Sequence, residues 1–177
     1  ESIKAGHTIC VETGAGELAD WADDAYEAVG CDICSDRATV FERADIVLHV
    51  QGLGAVDNDS VAPYRDGQTV VGLLGPYDVT DGQLDELATR NVSAFALELM
   101  PRISRAQSMD ALSSQASLGG YKACLLAAEE LPKMFPMEMT AAATIQPAEV
   151  LVIGAGVAGL KAIATAERLG ASTRGHD

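Results

Sequence analysis

Residues 150–159 read VLVIGAGVAG, a short apolar run that leads directly into three spaced glycines. The run Val150–Ile153 has the length and composition of a buried strand, and the apolar pattern from Val157 to about Leu169 predicts a helix. An acidic residue, Asp177, stands 23 positions after the first glycine. A strand, a glycine-rich turn, a helix and a later carboxylate in this order predict a dinucleotide-binding βαβ unit.

Each of the three glycines has a physical reason in such a unit. Gly154 allows the chain to turn sharply out of the strand, and Gly156 leaves room for a pyrophosphate to approach the backbone. Gly159 allows the helix to pack close to the sheet, while the helix N-terminus offers free N–H groups to phosphates. Asp177, at the tip of the next strand, can accept hydrogen bonds from both adenosine-ribose hydroxyls and would repel a 2′-phosphate. The stretch therefore predicts NAD rather than NADP; the alternative is a glycine-rich turn without a ligand.

The composition narrows the class of partner. The chain has 177 residues, with 12 basic and 26 acidic side chains and a net charge of −14. This balance argues against nucleic-acid binding through a basic patch. Arginine outnumbers lysine eight to four, and such an acid-rich, lysine-poor chain suggests a halophilic protein; an ordinary acidic cytosolic protein is the alternative. If the halophile hypothesis holds, the melting temperature rises in molar salt, and no rise would contradict it.

The cysteines and histidines form no metal or catalytic pattern. Cys31 and Cys34 make a single CxxC without the second ligand pair that a zinc site needs. A thioredoxin-like motif would stand at a helix start, whereas this pair lies at a predicted strand. We therefore expect free cysteines, structural histidines and no metal site. The cysteines are Cys10, Cys31, Cys34 and Cys124, and the histidines are His7, His49 and His176.

Strands alternate with helices along the chain, which predicts an α/β fold with a parallel sheet. We expect a parallel-sheet N-terminal domain over residues 1–112, followed by the start of a Rossmann dinucleotide-binding domain over residues 113–177. No apolar run approaches the ~20 residues of a membrane-spanning helix. The predicted strands before residue 100 are Thr8–Val11, Cys31–Ile33, Ile46–Val50, Thr69–Leu74 and Val92–Leu97. The predicted helices are Glu17–Val29, Val40–Ala44, a helix capped by Thr80 that runs to about Thr89, and a long helix that ends near Glu130, with a loop over residues 52–68.

Both ends of the chain have the pattern of an interrupted fold. Glu1–Gly6 predicts the last turn of a helix with a glycine C-cap, and such a helix should follow an earlier strand. A dinucleotide-binding domain also needs further strands after Asp177. We therefore expect a fragment of a longer subunit, with little turnover and weak NAD affinity on its own.

The segment before the long helix carries a second candidate site. Four polar side chains lie there within nine residues, a cluster that can hold a nicotinamide amide and its ribose; they are Arg102, Arg105, Gln107 and Asp110. Two other interpretations stay open: Ser104-x-x-Gln107 fits a capping box, and either arginine could form a surface ion pair with Asp110. Within the long helix, Gly119-Gly120 costs about 1 kcal/mol per glycine, which suggests close packing at that point.

Two stretches closely resemble the NAD(H)-binding alpha subunit of proton-translocating NAD(P) transhydrogenase: PRISRAQSMDALSSQA (101–116) and a longer one from GYKACLLAAEEL to IATAERLGA (120–171). The resemblance is looser upstream, at VETGAG (11–16) and ADIV (44–47). It implies a subunit that binds NAD(H) in a cleft between two α/β domains, while a partner beta subunit binds NADP(H). Hydride would pass directly between the two nicotinamides, and a membrane domain would couple this transfer to proton translocation. The resemblance also implies a homodimer of alpha subunits in the cytoplasm, attached to the inner face of the cell membrane through its partners.

The resemblance further implies roles for individual residues. The family's nicotinamide loop falls on Arg102, Gln107, Asp110 and Ser113, its glycine fingerprint on Gly154, Gly156, Val157 and Gly159, and its ribose carboxylate on Asp177. Arg102 and Gln107 can orient the nicotinamide carboxamide, while Asp110 and Ser113 can position the ribose side of the ring or a bridging water. Hydride transfer between two cofactors depends on positioning and needs neither a general acid nor a covalent nucleophile.

Two departures and two rival functions accompany this resemblance. Ala143 stands where the family usually has glycine, which would weaken binding if a ligand came close, and His49 and Gln51 stand where a basic residue is common. Alanine dehydrogenase, of the same superfamily, is the enzymatic rival. Its substrate carboxylate needs a cation to pair with, and this chain has no lysine between Lys4 and Lys122. The other rival is a catalytically inert nucleotide-binding or assembly module.

Overall fold

The computed structural model describes residues 1–57 and 59–177. Asn58, in the long predicted loop, lies outside them. By its internal contacts the chain divides into two compact units, Glu1–Pro101 and Arg102–Asp177. Both units combine helices with parallel strands, which confirms the predicted α/β fold with parallel sheets.

The first unit consists of strands that alternate with short helices. The bounds are β1 Cys10–Glu12, α1 Asp23–Glu27, β2 Asp32–Cys34, α2 Arg37–Arg43, β3 Ile46–Gln51, β4 Thr69–Leu73, α3 Gln83–Thr89 and β5 Ser93–Ala96. Strands β1 and β2 form one parallel pair, and β3, β4 and β5 form a second parallel sheet in that order. The five predicted strands are confirmed, with ends that differ by at most two residues from the predicted ones.

The core of the first unit lies on one face of the three-stranded sheet. Val70 on the central strand β4 is fully buried, and Val47 on β3 pairs with it in parallel register. Phe41 of α2 and Leu87 of α3 belong to the same buried cluster. Alternate residues point to opposite faces of a strand, so one set of apolar side chains from the sheet meets the helices and forms the core.

The helix predicted over Glu17–Val29 is wrong. A short 3-10 turn comes first, Asp20 then takes a left-handed conformation with a φ of 59°, and α1 begins only at Asp23. The Asp23 carboxylate accepts hydrogen bonds from the Thr13 hydroxyl at 2.6 Å and from the Gly14 N–H at 2.9 Å. These bonds draw the chain back to the end of β1, and this contact outweighs the helical propensity of the segment.

Two further helices begin at other residues than predicted. Helix α2 begins at Arg37, earlier than predicted, because the Asp36 carboxylate accepts a backbone N–H of its first turn at 2.8 Å. Helix α3 begins at Gln83, and its N-cap is Gly82, with a φ of 87°, rather than Thr80. The Thr80 N–H instead donates to the side-chain oxygen of Gln83 at 3.1 Å.

The second unit is a βαβ unit preceded by a long helix and a hairpin. The bounds are α4 Ala111–Glu130, β6 Glu138–Met139, β7 Thr144–Ile145, β8 Glu149–Ile153, α5 Val157–Arg168 and β9 Ser172–His176. Strands β8 and β9 pair in parallel, so the predicted strand, helix and following strand are confirmed. The antiparallel hairpin of β6 and β7 is not among the predicted elements; the Thr140 hydroxyl closes its turn by accepting the Ala143 N–H at 3.2 Å. The domain boundary predicted after residue 112 stays a prediction.

The two glycines in the middle of α4 have different surroundings. A Cβ at Gly120 would lie 2.0 Å from the carbonyl oxygen of Ala158 in α5, so the backbones of the two helices touch there. A Cβ at Gly119 would meet nothing within 4 Å. The predicted close packing is therefore confirmed at Gly120 and not at Gly119.

Candidate functional site

A cavity of about 360 Å³ opens in the second unit, between the first turns of α4 and α5. Six of the predicted site residues line it: Arg102, Ser113, Gly154, Gly156, Val157 and Gly159. The other lining residues are Leu112, Ala116, Ile153 and Ala158. The cavity thus joins two stretches that the sequence separates, the polar segment (residues 102–113) and the glycine turn (residues 154–159). Ile153 and Ala158 could have been found from the glycine fingerprint, whereas Leu112 and Ala116 carry no such signal.

The glycine turn has the geometry that its sequence predicts. Gly154 has a φ of 97°, a left-handed conformation that favours glycine. A Cβ at Gly159 would lie 1.7 Å from the Gly154 carbonyl oxygen, so α5 packs tightly against the turn. A Cβ at Gly156 would meet nothing within 4 Å. This side of the turn is open space at a helix N-terminus, where an anion can approach free N–H groups.

Asp177 reaches the glycine turn from the end of β9. Its carboxylate accepts a hydrogen bond from the Ala155 N–H at 3.0 Å. The residue before it, His176, accepts the Gly154 N–H at 2.7 Å through its carbonyl group. Asp177 is exposed and is not part of the cavity lining. A carboxylate therefore lies beside the turn, in the arrangement that the sequence spacing predicts.

The polar segment brings only some of its predicted set to the cavity. Arg102 and Ser113 line the cavity, whereas Gln107 and Asp110 do not. Gln107 is exposed within a 3-10 helix, Ser104–Met109. The Asp110 carboxylate caps α4, accepting the Ser113 N–H at 2.8 Å and the Ser113 hydroxyl at 2.7 Å. Asp110 therefore holds Ser113 in place at the cavity wall.

The two other interpretations of the polar segment are not realised. The 3-10 helix that contains Ser104 and Gln107 has no side-chain cap at its start, so the capping box does not form. In the portion of the chain that the structure describes, neither Arg102 nor Arg105 forms an ion pair with Asp110. Arg102 is exposed beside the cavity, which leaves its guanidinium group accessible to a ligand.

The cap also makes the stability contributed by Asp110 depend on pH. Hydrogen bonds from the Ser113 N–H and hydroxyl hold the pKa of the Asp110 carboxyl below its ordinary value, and the Arg102 charge adds to this effect. A carboxyl whose pKa is lowered by folding contributes stability above its unfolded pKa. This contribution is lost as the pH falls through the folded pKa.

Asp110→Ala should lower the melting temperature at pH 7 by about 4–8 °C, the effect of losing a helix cap in a unit of this size. The difference from the wild type should shrink as the pH falls below about 3.9, where the carboxyl of an unfolded chain becomes protonated. Melting curves followed by circular dichroism at pH 7 and pH 3 measure both effects. Asp110→Asn, which keeps a neutral acceptor, should retain most of the melting temperature at pH 7. An Asp110→Ala variant that melts like the wild type at pH 7 would rule out this role.

The two units differ in their charge. Residues 1–101 contain 5 basic and 19 acidic side chains, whereas residues 102–177 contain 7 of each. The whole net charge of −14 therefore belongs to the first unit, and the unit with the cavity is balanced. Because a dinucleotide carries negative phosphates, the balanced unit is the more favourable of the two for binding it.

His49 lies in the first unit and has structural surroundings. Its Nε2 is 3.1 Å from the Tyr64 hydroxyl, and its ring packs against Phe41. Burial lowers the pKa of His49 and raises the pKa of Tyr64 to about 12, so both side chains are uncharged at neutral pH. The expected structural role of this histidine is confirmed, although Tyr64 carries no sequence signal as its partner.

The four cysteines are free thiols, as predicted. Cys34 ends strand β2 and Cys31 precedes this strand, so the CxxC does not stand at a helix start. Burial raises the pKa of the Cys124 thiol, which disfavours the reactive thiolate. Within residues 1–57 and 59–177, no group of three or more His, Cys, Asp or Glu side chains could hold a metal ion. The helices described there are all too short or too polar to cross a bilayer.

Both units of the chain match known protein families. Residues 1–119 match the family described as alanine dehydrogenase/PNT, N-terminal domain, and residues 123–177 match alanine dehydrogenase/PNT, C-terminal domain. Two curated relatives carry the name NAD(P) transhydrogenase subunit alpha, each being the first of the pieces into which that subunit is divided. The chain is 45% identical over 176 residues to the one from Rickettsia prowazekii and 47% identical over 177 residues to the one from Rhodospirillum rubrum. Each alignment covers 99% of this chain and 46% of the relative.

Solved structures give the same result. The transhydrogenase from Sinorhizobium meliloti superposes with a TM-score of 0.86 at 42% identity, covering 98% of this chain and 49% of that one. An L-alanine dehydrogenase superposes with a TM-score of 0.80 at 20% identity, over 99% of this chain and 47% of that one, and shows a shared fold. The chain thus spans about half the length of the relatives that it matches.

Proposed function

We propose, because this chain belongs to the alanine dehydrogenase/PNT family, that it is the NAD(H)-binding component of a proton-translocating NAD(P) transhydrogenase. In this proposal NAD(H) binds in the cavity of the second unit and exchanges hydride directly with NADP(H) on a partner beta subunit. The observation that carries the proposal is the cavity wall, which joins Arg102 and Ser113 to the glycine turn. Relatives named transhydrogenase subunit alpha, at 45% and 47% identity, favour this function over that of the other enzyme in the family.

The glycine turn would hold the pyrophosphate. The open space at Gly156 leaves the backbone approachable, and the N-terminus of α5 offers N–H donors at the same place. The Asp177 carboxylate, which already accepts the Ala155 N–H, would also accept hydrogen bonds from the adenosine ribose. Its negative charge disfavours a 2′-phosphate, so the site would select NAD over NADP.

The polar segment would orient the nicotinamide half. Arg102 can donate hydrogen bonds to the carboxamide oxygen from the cavity edge. Ser113, held by Asp110, presents its hydroxyl group at the cavity wall, and Gln107 would complete the set from the same segment. The nicotinamide supplies the hydride chemistry, so the residues need only position it and exclude misaligned poses.

The proposed partners follow from this role. A beta subunit would present NADP(H), and a membrane domain would couple hydride transfer to proton movement. We also propose a homodimer of this component in the cytoplasm, attached to the inner face of the membrane through its partners. The name subunit alpha, carried by the relatives, supports an assembly with other subunits.

Hydride exchange between NADH and an NADP analogue tests the proposed function. The full-length protein is mixed with the NADP-binding domain of a transhydrogenase beta subunit, and each is also assayed alone. We expect exchange in the mixture alone. Arg102→Ala should reduce the rate about 100-fold, because a misplaced reacting group costs that much. Arg105→Ala removes the same charge three residues away and outside the cavity lining, so it should leave the rate unchanged.

The alternatives give different results in the same assay. NADH production that depends on alanine would identify an alanine dehydrogenase instead. NADH binding without either reaction would identify an inert nucleotide-binding module. Equal effects of the two arginine substitutions would remove Arg102 from the site and leave the overall reaction standing.

A further inference from the structure

Gly120 lies on the face of helix α4 that lines the cavity. Leu112 and Ala116 line the cavity from this helix, and steps of four residues along one helix face lead from Leu112 through Ala116 to Gly120. Gly120 is buried, whereas its neighbour Gly119 is exposed. The cavity wall and the buried glycine therefore belong to one surface of a single helix.

Ala158 of α5 lines the same cavity from the opposite side and meets Gly120 there. A Cβ at position 120 would lie 2.0 Å from the Ala158 carbonyl oxygen and 2.8 Å from its carbonyl carbon. These are backbone atoms of a helix, which cannot move aside as the end of a flexible side chain can. The contact between Gly120 and Ala158 is thus the point at which the two walls of the cavity touch.

We infer that Gly120 is a positioning residue that sets the distance between the polar segment and the glycine turn. The inference rests on the proposed NAD(H) site. Ser113 lies seven residues before Gly120, about 10 Å along a helix, and the Asp110 cap ties the polar segment to the same helix end. To restore an ordinary contact, a Cβ at position 120 must retreat from 2.0 Å to at least 3.0 Å. A rigid helix carries this shift to Ser113, and with it to the nicotinamide side of the cavity.

A glycine that serves packing alone would behave differently, and two ligands separate the cases. ADP-ribose contains the pyrophosphate and both ribose sugars but lacks the nicotinamide, so its affinity reports mainly on the glycine turn. NADH adds the nicotinamide, whose affinity reports on the polar segment. A change in the spacing of the two walls should weaken NADH binding and leave ADP-ribose binding nearly unchanged.

The test compares Gly120→Ala with Gly119→Ala in the full-length protein. Dissociation constants for NADH and ADP-ribose are measured by titration calorimetry, and circular dichroism reports the folded state. We expect Gly120→Ala to keep the wild-type spectrum, to bind ADP-ribose within about twofold of the wild type, and to bind NADH at least about tenfold more weakly. Gly119→Ala makes the same change at an open position of the same helix, so it should bind both ligands normally and melt at a higher temperature.

Three results would overturn the inference. Equal weakening of both ligands, or no weakening, in a protein whose wild type binds both, would leave the proposed site intact and Gly120 without a positioning role. Loss of the folded spectrum in Gly120→Ala would make the glycine a requirement for folding alone. A wild type that binds neither ligand would refute the proposed function itself, and the inference with it.

Discussion

Gly156→Val should abolish detectable NADH binding while the protein stays folded, a loss of at least about 100-fold in affinity, or about 2.7 kcal/mol. A Cβ at Gly156 meets nothing within 4 Å, so the valine side chain fits the protein but occupies the open space in which we place the pyrophosphate. Gly156 is the N-cap of α5, and the loss of a tolerated cap residue costs about 1 kcal/mol of folding stability at most. NADH fluorescence titrations and circular dichroism measure the two effects on one sample.

This prediction fails if Gly156→Val binds NADH as the wild type does, because the phosphates would then lie elsewhere. It also fails if the variant unfolds, since the position would not be open. Gly156→Ser offers a graded comparison: serine is a good cap, so this variant should fold at least as well as Gly156→Val while still placing side-chain atoms in the space.

The same substitution three residues later should have the opposite effect. Gly159→Val is expected to destabilise the second unit by about 3 kcal/mol, at the upper end for overpacking, and to lower the melting temperature by more than about 10 °C. A Cβ at Gly159 would lie 1.7 Å from the carbonyl oxygen of Gly154, and Gly154 already occupies a left-handed conformation that leaves it little freedom to adjust. Thermal and urea unfolding measure this loss.

The pair of variants separates the two roles within one glycine fingerprint. If both variants fold normally and both lose NADH, the fingerprint serves binding alone and the tight packing at Gly159 is unnecessary. If both unfold, the open space at Gly156 is not real. The geometry predicts one folded variant without affinity and one variant that has lost its stability.

The second unit follows closely from local sequence rules. The run Val150–Ile153 is a strand and the helix begins at Val157 as predicted, because apolar periodicity and glycine conformations are properties of neighbouring residues. The position of Asp177 beside the glycine turn follows from the length of one βαβ unit. The parallel sheets of the first unit were predictable for the same reason, since buried apolar runs separated by turns are a local signal.

What the sequence could not predict depends on contacts between distant residues. Asp23 has no local feature that reveals its bonds to Thr13 and Gly14, so the predicted helix before it is too long. Asp110 is predicted to meet a ligand, yet its carboxylate caps α4 through Ser113. The choice between Gly119 and Gly120 as the packed glycine needs the position of α5, which spacing along one helix does not contain.

A crystal structure of the full-length protein with NADH tests the central claim most directly, because it locates both halves of the nucleotide at once. We expect the pyrophosphate beside Gly156 and the nicotinamide next to Arg102 and Ser113, in the cavity between α4 and α5. NADH bound with its nicotinamide away from the polar segment, or bound outside this cavity, would contradict the proposed site.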